Sequence, residues 1–308
     1  MIICPILLFN SKKILIMGDN FIKWLLFIAL SLIWGSSFIL MKVGMENLSP
    51  FQVASVRIVA SGIVMLPMAL KSFKTIPSKK ILLVLLSGAL GSLFPAYLFC
   101  LAETGIDSSL AGALNSLTPI FTIITSVLFF RMKTPWQKVL GILIAFSGCA
   151  GLFFSQAMIS GGEHYGFIFF VLVATFCYGL NVNVVQHYLK EIPSLSIVAM
   201  AMTLCAIPAL SVLFWTGFFF MPMTPGVLKS VGFSALLGAM GTSLANLLFY
   251  MLIKKSGPLF ASMVTYGIPF VAILWGIGFH ENIGWMQIVS LSVILGGVYV
   301  ANSGAKAQ

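Results

Sequence analysis

The chain has 308 residues, 60% of them hydrophobic and 8% charged, and carries a net charge of +10. With a mean hydropathy of +1.09 it has too little polar surface to fold in water, which excludes a soluble globular domain and makes lipid the solvent. The basic excess would suggest nucleic acid only if the cations gathered on one binding face, and their order along the chain argues otherwise.

Residues 1–20 read as a short N-terminal tail. Ile2 to Asn10 is apolar but far too short to span, it lacks a charged leader and a small-residue cleavage site, and Met17 offers an alternative start. Ten stretches of about 20 apolar residues follow, at 21–42, 50–70, 81–101, 108–130, 136–156, 165–187, 195–217, 229–252, 258–279 and 284–302, with a tail at 303–308. Each is a helix by expectation, because lipid offers no partner to an open backbone group and barrel strands are half as long. The fold class is an all-α membrane protein with ten transmembrane segments.

Lys12, Lys13 and Lys23 precede segment 1; Lys71, Lys74, Lys79 and Lys80 join segments 2 and 3; Arg131, Lys133 and Lys138 join 4 and 5. Lys190, Lys254, Lys255 and Lys306 fall on that same side, while the opposite connections carry Glu46, Glu103, Asp107, Glu163 and Glu281, with Lys42 and Lys229 as exceptions. By the positive-inside rule both termini are cytoplasmic. Topology control accounts for the basic excess and leaves nothing for nucleic acid to explain.

Cys4, Cys100, Cys149, Cys177 and Cys205 stand singly in apolar surroundings, and His164, His187 and His280 lie at segment ends without clustering. That pattern predicts packing and surface roles, no metal and no cofactor.

The segment Gly88 to Pro119 recurs from Gly238 to Pro269, 238 − 88 and 269 − 119 being the same 150 residues. Gly88-Ala89-Leu90-Gly91-Ser92 matches Gly238-Ala239-Met240-Gly241-Thr242, Leu98-Phe99 matches Leu248-Phe249, and Ala111 matches Ala261. Trp34-Gly35 pairs with Tyr178-Gly179, Pro67 with Pro208, Trp136 with Trp285 and Gly148 with Gly297. The repeat unit is five helices, residues 21–156 and 165–302. An odd number of spans brings the second unit in from the opposite face, giving an inverted repeat about an axis in the membrane plane. Alternating-access transporters are built this way, with the solute near mid-membrane between the halves.

Ile33-Trp34-Gly35-Ser36-Ser37-Phe38 in segment 1, Leu48-Ser49-Pro50 followed by Val56-Arg57, Ala111 through Pro119, and Gly257 through Pro269 with Phe279-His280-Glu281 stand in a characteristic order. Together, over about Lys23 to Asn302, they resemble the drug/metabolite transporter superfamily, EamA type. The resemblance implies a ten-helix inner-membrane carrier that exports small metabolites, amino acids or toxic compounds. Phe130-Arg131 departs from it, since the family commonly ends segment 4 with an acidic residue; the second half keeps Glu281.

Polar side chains inside membrane helices are costly and usually face a cavity or a partner helix. Trp34, Ser37 and Met41 share one face of segment 1, and Tyr178, Asn181 and Val185 the corresponding face of segment 6. Segment 4 offers Ala111, Asn115, Thr118 and Thr122, with Thr265 the repeat equivalent of Asn115 and Tyr266 beside it. Thr242, Asn246 and Tyr250 on segment 8 replace Ser92, Ala96 and Cys100 on segment 3, predicting a site more polar toward the second half. The candidate solute-binding residues are therefore Trp34, Ser37, Arg57, Asn115, Thr118, Tyr178, Asn181, Asn246, Tyr250, Thr265 and Tyr266. Arg57 lies about 10 Å into segment 2, at about 1.5 Å per residue; it either pairs with Glu103 or Asp107 or holds a solute carboxylate. Gly88, Gly91, Gly238 and Gly241 suit close helix packing, and Pro119 and Pro269 kink segments 4 and 9, as fixed bends or as flexing points.

No segment centre carries Asp or Glu, so proton coupling has only Glu103, Asp107 and Glu281 to use, and uniport or exchange is equally open. A membrane enzyme would need a nucleophile and base, and a channel would need rings of like residues. A nucleotide-sugar or phosphorylated-metabolite exchanger of the same superfamily would want several cavity cations, where this chain offers Arg57 and Lys42. A neutral, zwitterionic or cationic small-molecule substrate fits better. Segments 5 and 10 are apolar all round and face membrane lipid or a second copy in a homodimer, with Trp136 and Trp285 anchored at the interface.

Overall fold

The computed structural model describes residues 5–106, 108–132, 135–160, 165–278 and 285–303. Cys4, Asp107, Lys133, Glu163, His164, Phe279-His280-Glu281 and Lys306 lie outside the described residues, as do the side chains of Lys12, Lys13, Met17 and Cys149. Every regular element described is helical: α1 (Pro5–Gly44), α2 (Pro50–Ser72), α3 (Ile81–Gly88), α4 (Phe94–Ala102), α5 (Ser108–Asn115), α6 (Thr118–Phe130) and α7 (Trp136–Ser160). The second half gives α8 (Tyr165–Tyr188), α9 (Ser194–Trp215), α10 (Pro225–Leu236), α11 (Ala245–Ser256), α12 (Pro258–Ser262), α13 (Ile268–Gly278) and α14 (Trp285–Ser303). Among the described residues, six helical stretches are long and apolar enough to cross a membrane: Asn20–Gly44, Pro50–Ser72, Ser78–Ala102, Gly166–Tyr188, Ser194–Trp215 and Pro225–Ser256. Thr118–Phe130, Pro258–Val271 and Ile288–Ala301 are shorter apolar helices.

Local sequence explains where helices start and break. At Leu48-Ser49-Pro50 a capping box opens α2: the Gln52 N–H donates to Ser49 Oγ at 3.3 Å, the Ser49 N–H donates to Gln52 Oε1 at 3.0 Å, and Pro50 gives up no needed donor. Pro119 sits at the second position of α6 and Pro269 at that of α13, so each proline begins a new helix after an irregular stretch. A proline cannot donate to the preceding turn and its ring crowds that carbonyl. The interruption is a short turn after Asn115 in the first half and a 3₁₀ stretch, Met263–Gly267, in the second. The repeated Gly-Ala-x-Gly motifs mark a different device, π-helical segments at Ala89–Leu93 between α3 and α4 and at Leu237–Leu244 between α10 and α11.

Packing follows the repeat. α1 lies on α10 and α11 as α8 lies on α3 and α4, and α1 meets α13 as α8 meets α6. Glycines permit the approach: a Cβ on Gly88 would meet Cys205 Sγ at 2.8 Å, and one on Gly238 would strike the Arg57 carbonyl. α2 crosses α9 at Gly62, where a Cβ would meet Ala206 at 2.5 Å. α7 and α14 bury one face against each other through Gly141, Gly148 and Gly297, with Ile142, Ala145, Ile294 and Val298 buried there. These two helices, read above as apolar all round, thus have an inner face, and what remains outward includes Leu143, Trp136, Ile288 and Trp285.

Exposed large side chains run down the outward faces, among them Phe21, Leu25, Ile28 and Leu32 on α1 and Ile207, Leu210 and Phe214 on α9. A belt of this kind is a liability in water and fits a lipid-facing surface. Inside, two buried apolar clusters divide the molecule by depth and not by sequence half. One includes Leu26, Leu30, Val84, Leu189 and Ile253, at the end of the bundle that carries most lysines. The other includes Met41, Val53, Phe99, Val171 and Phe218, at the opposite end.

Candidate functional site

Between those two clusters lies a cavity, a region of about 700 Å³ of non-atom space that includes open solvent. Trp34, Ser37, Phe38 and Met41 of α1 form one wall, and Tyr178 and Asn181 of α8 another. Arg57 enters from α2, Asn115 and Thr118 from the break between α5 and α6, and Thr265 from the 3₁₀ stretch before α13. Gly91 and Gly241, in the two π-helical segments, complete the lining with Asn246 and Phe249 of α11. A Cβ on either glycine would force a neighbouring side chain to shift: one on Gly91 would strike the Asn181 amide, and one on Gly241 would meet Ser37 Oγ at 2.8 Å. Asn181 and Ser37 are repeat partners, so the same close approach is made twice.

Of the candidates read from sequence, all but Tyr250 and Tyr266 line this cavity. Tyr250 is fully buried one layer behind it, where its hydroxyl meets Ser87 Oγ at 2.9 Å and accepts from Asn181 Nδ2 at 3.2 Å. Ser87 in turn donates to Asn181 Oδ1 at 2.7 Å, so the amide is held at both ends. Tyr266 points elsewhere: it donates to the Ile142 carbonyl at 3.3 Å and borders an apolar groove between α1, α13 and α14. Phe38, Phe99 and Phe249 also line the cavity, and the sequence does not mark them, because an apolar ring carries no signal that separates a cavity wall from a core.

Arg57 is 8% exposed and donates from Nε to Thr242 Oγ1 at 2.7 Å. Among the described residues it forms no salt bridge, so the expected pair with Glu103 is not made, and Asp107 lies outside them. Other guanidinium N–H groups are left for a ligand, because Arg presents five donors in a fixed fork. Asn246 donates to Ser92 Oγ at 2.7 Å, Trp34 Nε1 donates to the Gly241 carbonyl at 3.1 Å, and Thr118 Oγ1 donates to the Asn115 carbonyl at 2.7 Å. Polar groups therefore come from both halves, with the cation on the first; the expected bias toward the second half is absent, since Thr242 and Tyr250 are engaged outside the lining.

Phe38 and Phe99 meet edge to face with centroids 5.9 Å apart, and Phe99 stacks on Tyr178 at 6.0 Å. These rings line the cavity on the side nearer Glu103, which follows Phe99 by one turn. Lys229 and Glu46 form an exposed ion pair at 3.0 Å, which accounts for the outlying Lys229. At the opposite end Lys80 stands 3.9 Å from Glu191, an acid on the basic side that the charge pattern did not use. Cys100, Cys177 and Cys205 are buried free thiols, and the described residues hold no cluster of His, Cys, Asp or Glu that could bind a metal.

The profile of the EamA-like transporter family matches residues 22–154 and again 166–303. A protein of Archaeoglobus fulgidus named an uncharacterized transporter is 28% identical over 284 residues, covering 90% of this chain and 98% of its own. The inner membrane transporter YedA of Escherichia coli K12, also named as uncharacterized, is 27% identical over 90% of this chain and 89% of its own. PagO of Salmonella typhimurium is 23% identical over 81% of this chain and 82% of its own. A solved crystal structure matches with a TM-score of 0.69 at 16% identity, over 92% of this chain and 96% of that one, which is a likeness of fold.

Proposed function

Because the chain belongs to the EamA-like transporter family, with one match in each half, we propose that it carries small organic solutes across the inner membrane by alternating access, with the central cavity as the solute site. It is an integral membrane transporter and not an enzyme, in keeping with its family and with the names of its relatives. The observation that carries the reading is a largely apolar cavity assembled from both halves, into which a few amides, hydroxyls and one guanidinium converge, flanked by an apolar core toward each end.

This reading takes the helical segments as ten spans in two inverted five-helix units with both termini cytoplasmic. The mirrored packing of α1 and α8 and the one-sided lysines support it. A rocking of one half against the other would open the cavity to each face in turn. Export, which the sequence resemblance implies, is one direction of that cycle.

The lining suggests the cargo. Three amides, Asn115, Asn181 and Asn246, stand with one guanidinium among the rings of Trp34, Tyr178 and Phe249. One cation suits a single carboxylate better than a diphosphate, so zwitterions such as amino acids are the favoured class. The test is counterflow: proteoliposomes loaded with one unlabelled amino acid at a time should take up the labelled form saturably, and Asn181→Leu protein should not. Equal uptake by that variant or by protein-free vesicles would reject the site.

A further inference from the structure

Glu103 is the one acid among the described residues whose carboxylate is withdrawn from water near the cavity. It caps the C-terminus of α4, one turn beyond Phe99, which lines the cavity and stacks on Tyr178. Both carboxylate oxygens are buried, and neither has a hydrogen-bond partner. A buried polar atom without a partner is a costly exception, and an isolated buried carboxylate is stable chiefly as the neutral acid.

The groups around it come from every neighbouring element. Lys42 acts on it from α1, Arg57 from α2, Cys100 from α4 itself and Ser108 from α5, while Tyr178 of α8 lies near Arg57 and Cys100, and Glu46, beyond the end of α1, is engaged with Lys229. Burial pushes the Glu103 carboxyl well above the ordinary carboxylate range, opposed by the pull of Lys42, then Arg57, then the Ser108 hydroxyl, which is close without completing a hydrogen bond. Lys42 is exposed and screened by water, whereas Arg57 is buried, faces the cavity and has donors to spare.

We propose that Glu103 is the carrier's proton site, taking up one proton when the anionic group of a solute occupies Arg57 and releasing it to pair with Arg57 when the solute leaves. The guanidinium is then shared in alternation between the solute and Glu103. In the loaded state the carboxyl holds its proton and needs no cation; in the empty state the proton returns to water and the carboxylate turns to Arg57. Charge in the buried region stays balanced throughout. Proton and solute accordingly move in the same direction, so an inward proton gradient concentrates solute inside, opposite to the export that the sequence resemblance implies. This rests on the central cavity being the solute site.

Two measurements test it. The first needs no solute: an infrared difference between wild type and Glu103→Gln, titrated with pH, should show a protonated carboxyl persisting above the ordinary range, and Arg57→Gln should move that titration further up. Absence of the band, or a titration indifferent to Arg57→Gln, overturns the proposal. The second uses labelled alanine, or whichever amino acid shows counterflow. Wild type should accumulate it on the alkaline side about tenfold per pH unit, the ratio one coupled proton supports; Glu103→Gln should reach no accumulation and Glu103→Asp should recover it in part. Accumulation on the acidic side, or full accumulation by Glu103→Gln, contradicts the assignment. Should no amino acid be carried, the favoured cargo fails while the infrared titration still decides on Glu103.

Discussion

Asn181 shows how much one residue can hold together. Its carbonyl accepts from Ser87 and its amide donates to Tyr250, while the same amide lies against Gly91 in the cavity wall. Asn181→Leu takes one partner from each of two hydroxyls that still meet each other, and since buried polar contacts in membrane proteins average about 0.6 kcal/mol, a modest fall in unfolding temperature with complete loss of counterflow is the expected pair of results. Arg57→Lys keeps the charge but loses the Nε–H that reaches Thr242, and a lysine does not replace a planar fork. It should fold, with solute affinity lowered by about tenfold; a collapsed fold would make Arg57 structural. The glycines can be ranked by what blocks them. Gly238→Ala meets the backbone carbonyl of Arg57, whereas Gly91→Ala meets a side chain that can move. Overpacking costs about 1–3 kcal/mol, so thermal unfolding should place Gly238→Ala below Gly91→Ala, and the reverse order would fault the packing described.

α1, α2 and α8 run past the cavity unbroken, whereas the pairs α3/α4, α5/α6, α10/α11 and α12/α13 are each broken or distorted beside it. Pro119 and Pro269 were legible as interruptions because proline removes a donor wherever it stands. The π-helical segments were not, since Gly-Ala-x-Gly reads equally well as a small-residue packing motif. Their effect is functional in position: both place a glycine on the cavity wall. Tyr266 directly follows Thr265, and consecutive residues stand about 100–120° apart in either kind of helix, so Thr265 reaches the cavity while Tyr266 turns to Ile142. Replacing Pro119 with Ala lets α5 and α6 join through Asn115. Thermal stability should then hold or rise, and transport should slow; a faster carrier would mean the break is incidental.

Across the whole molecule the duplication was readable because a constant offset survives where individual residues change, and it carried the cavity with it: repeat partners such as Trp34 and Tyr178, or Ser37 and Asn181, meet around one space. Burial at a helix end was not readable. Glu103 stands in the sequence as a loop acid on the acidic side, and only the packing of α1, α2 and α8 around it takes its carboxylate from water. The central claim is that this cavity opens to each membrane face in turn. The most direct measurement replaces Asn115 with Cys in a background lacking the native cysteines and follows its reaction with a membrane-impermeant thiol reagent in right-side-out and inside-out vesicles. Labelling from both faces, slowed from both by a transported solute, is the predicted result; labelling from one face alone under every condition would contradict it.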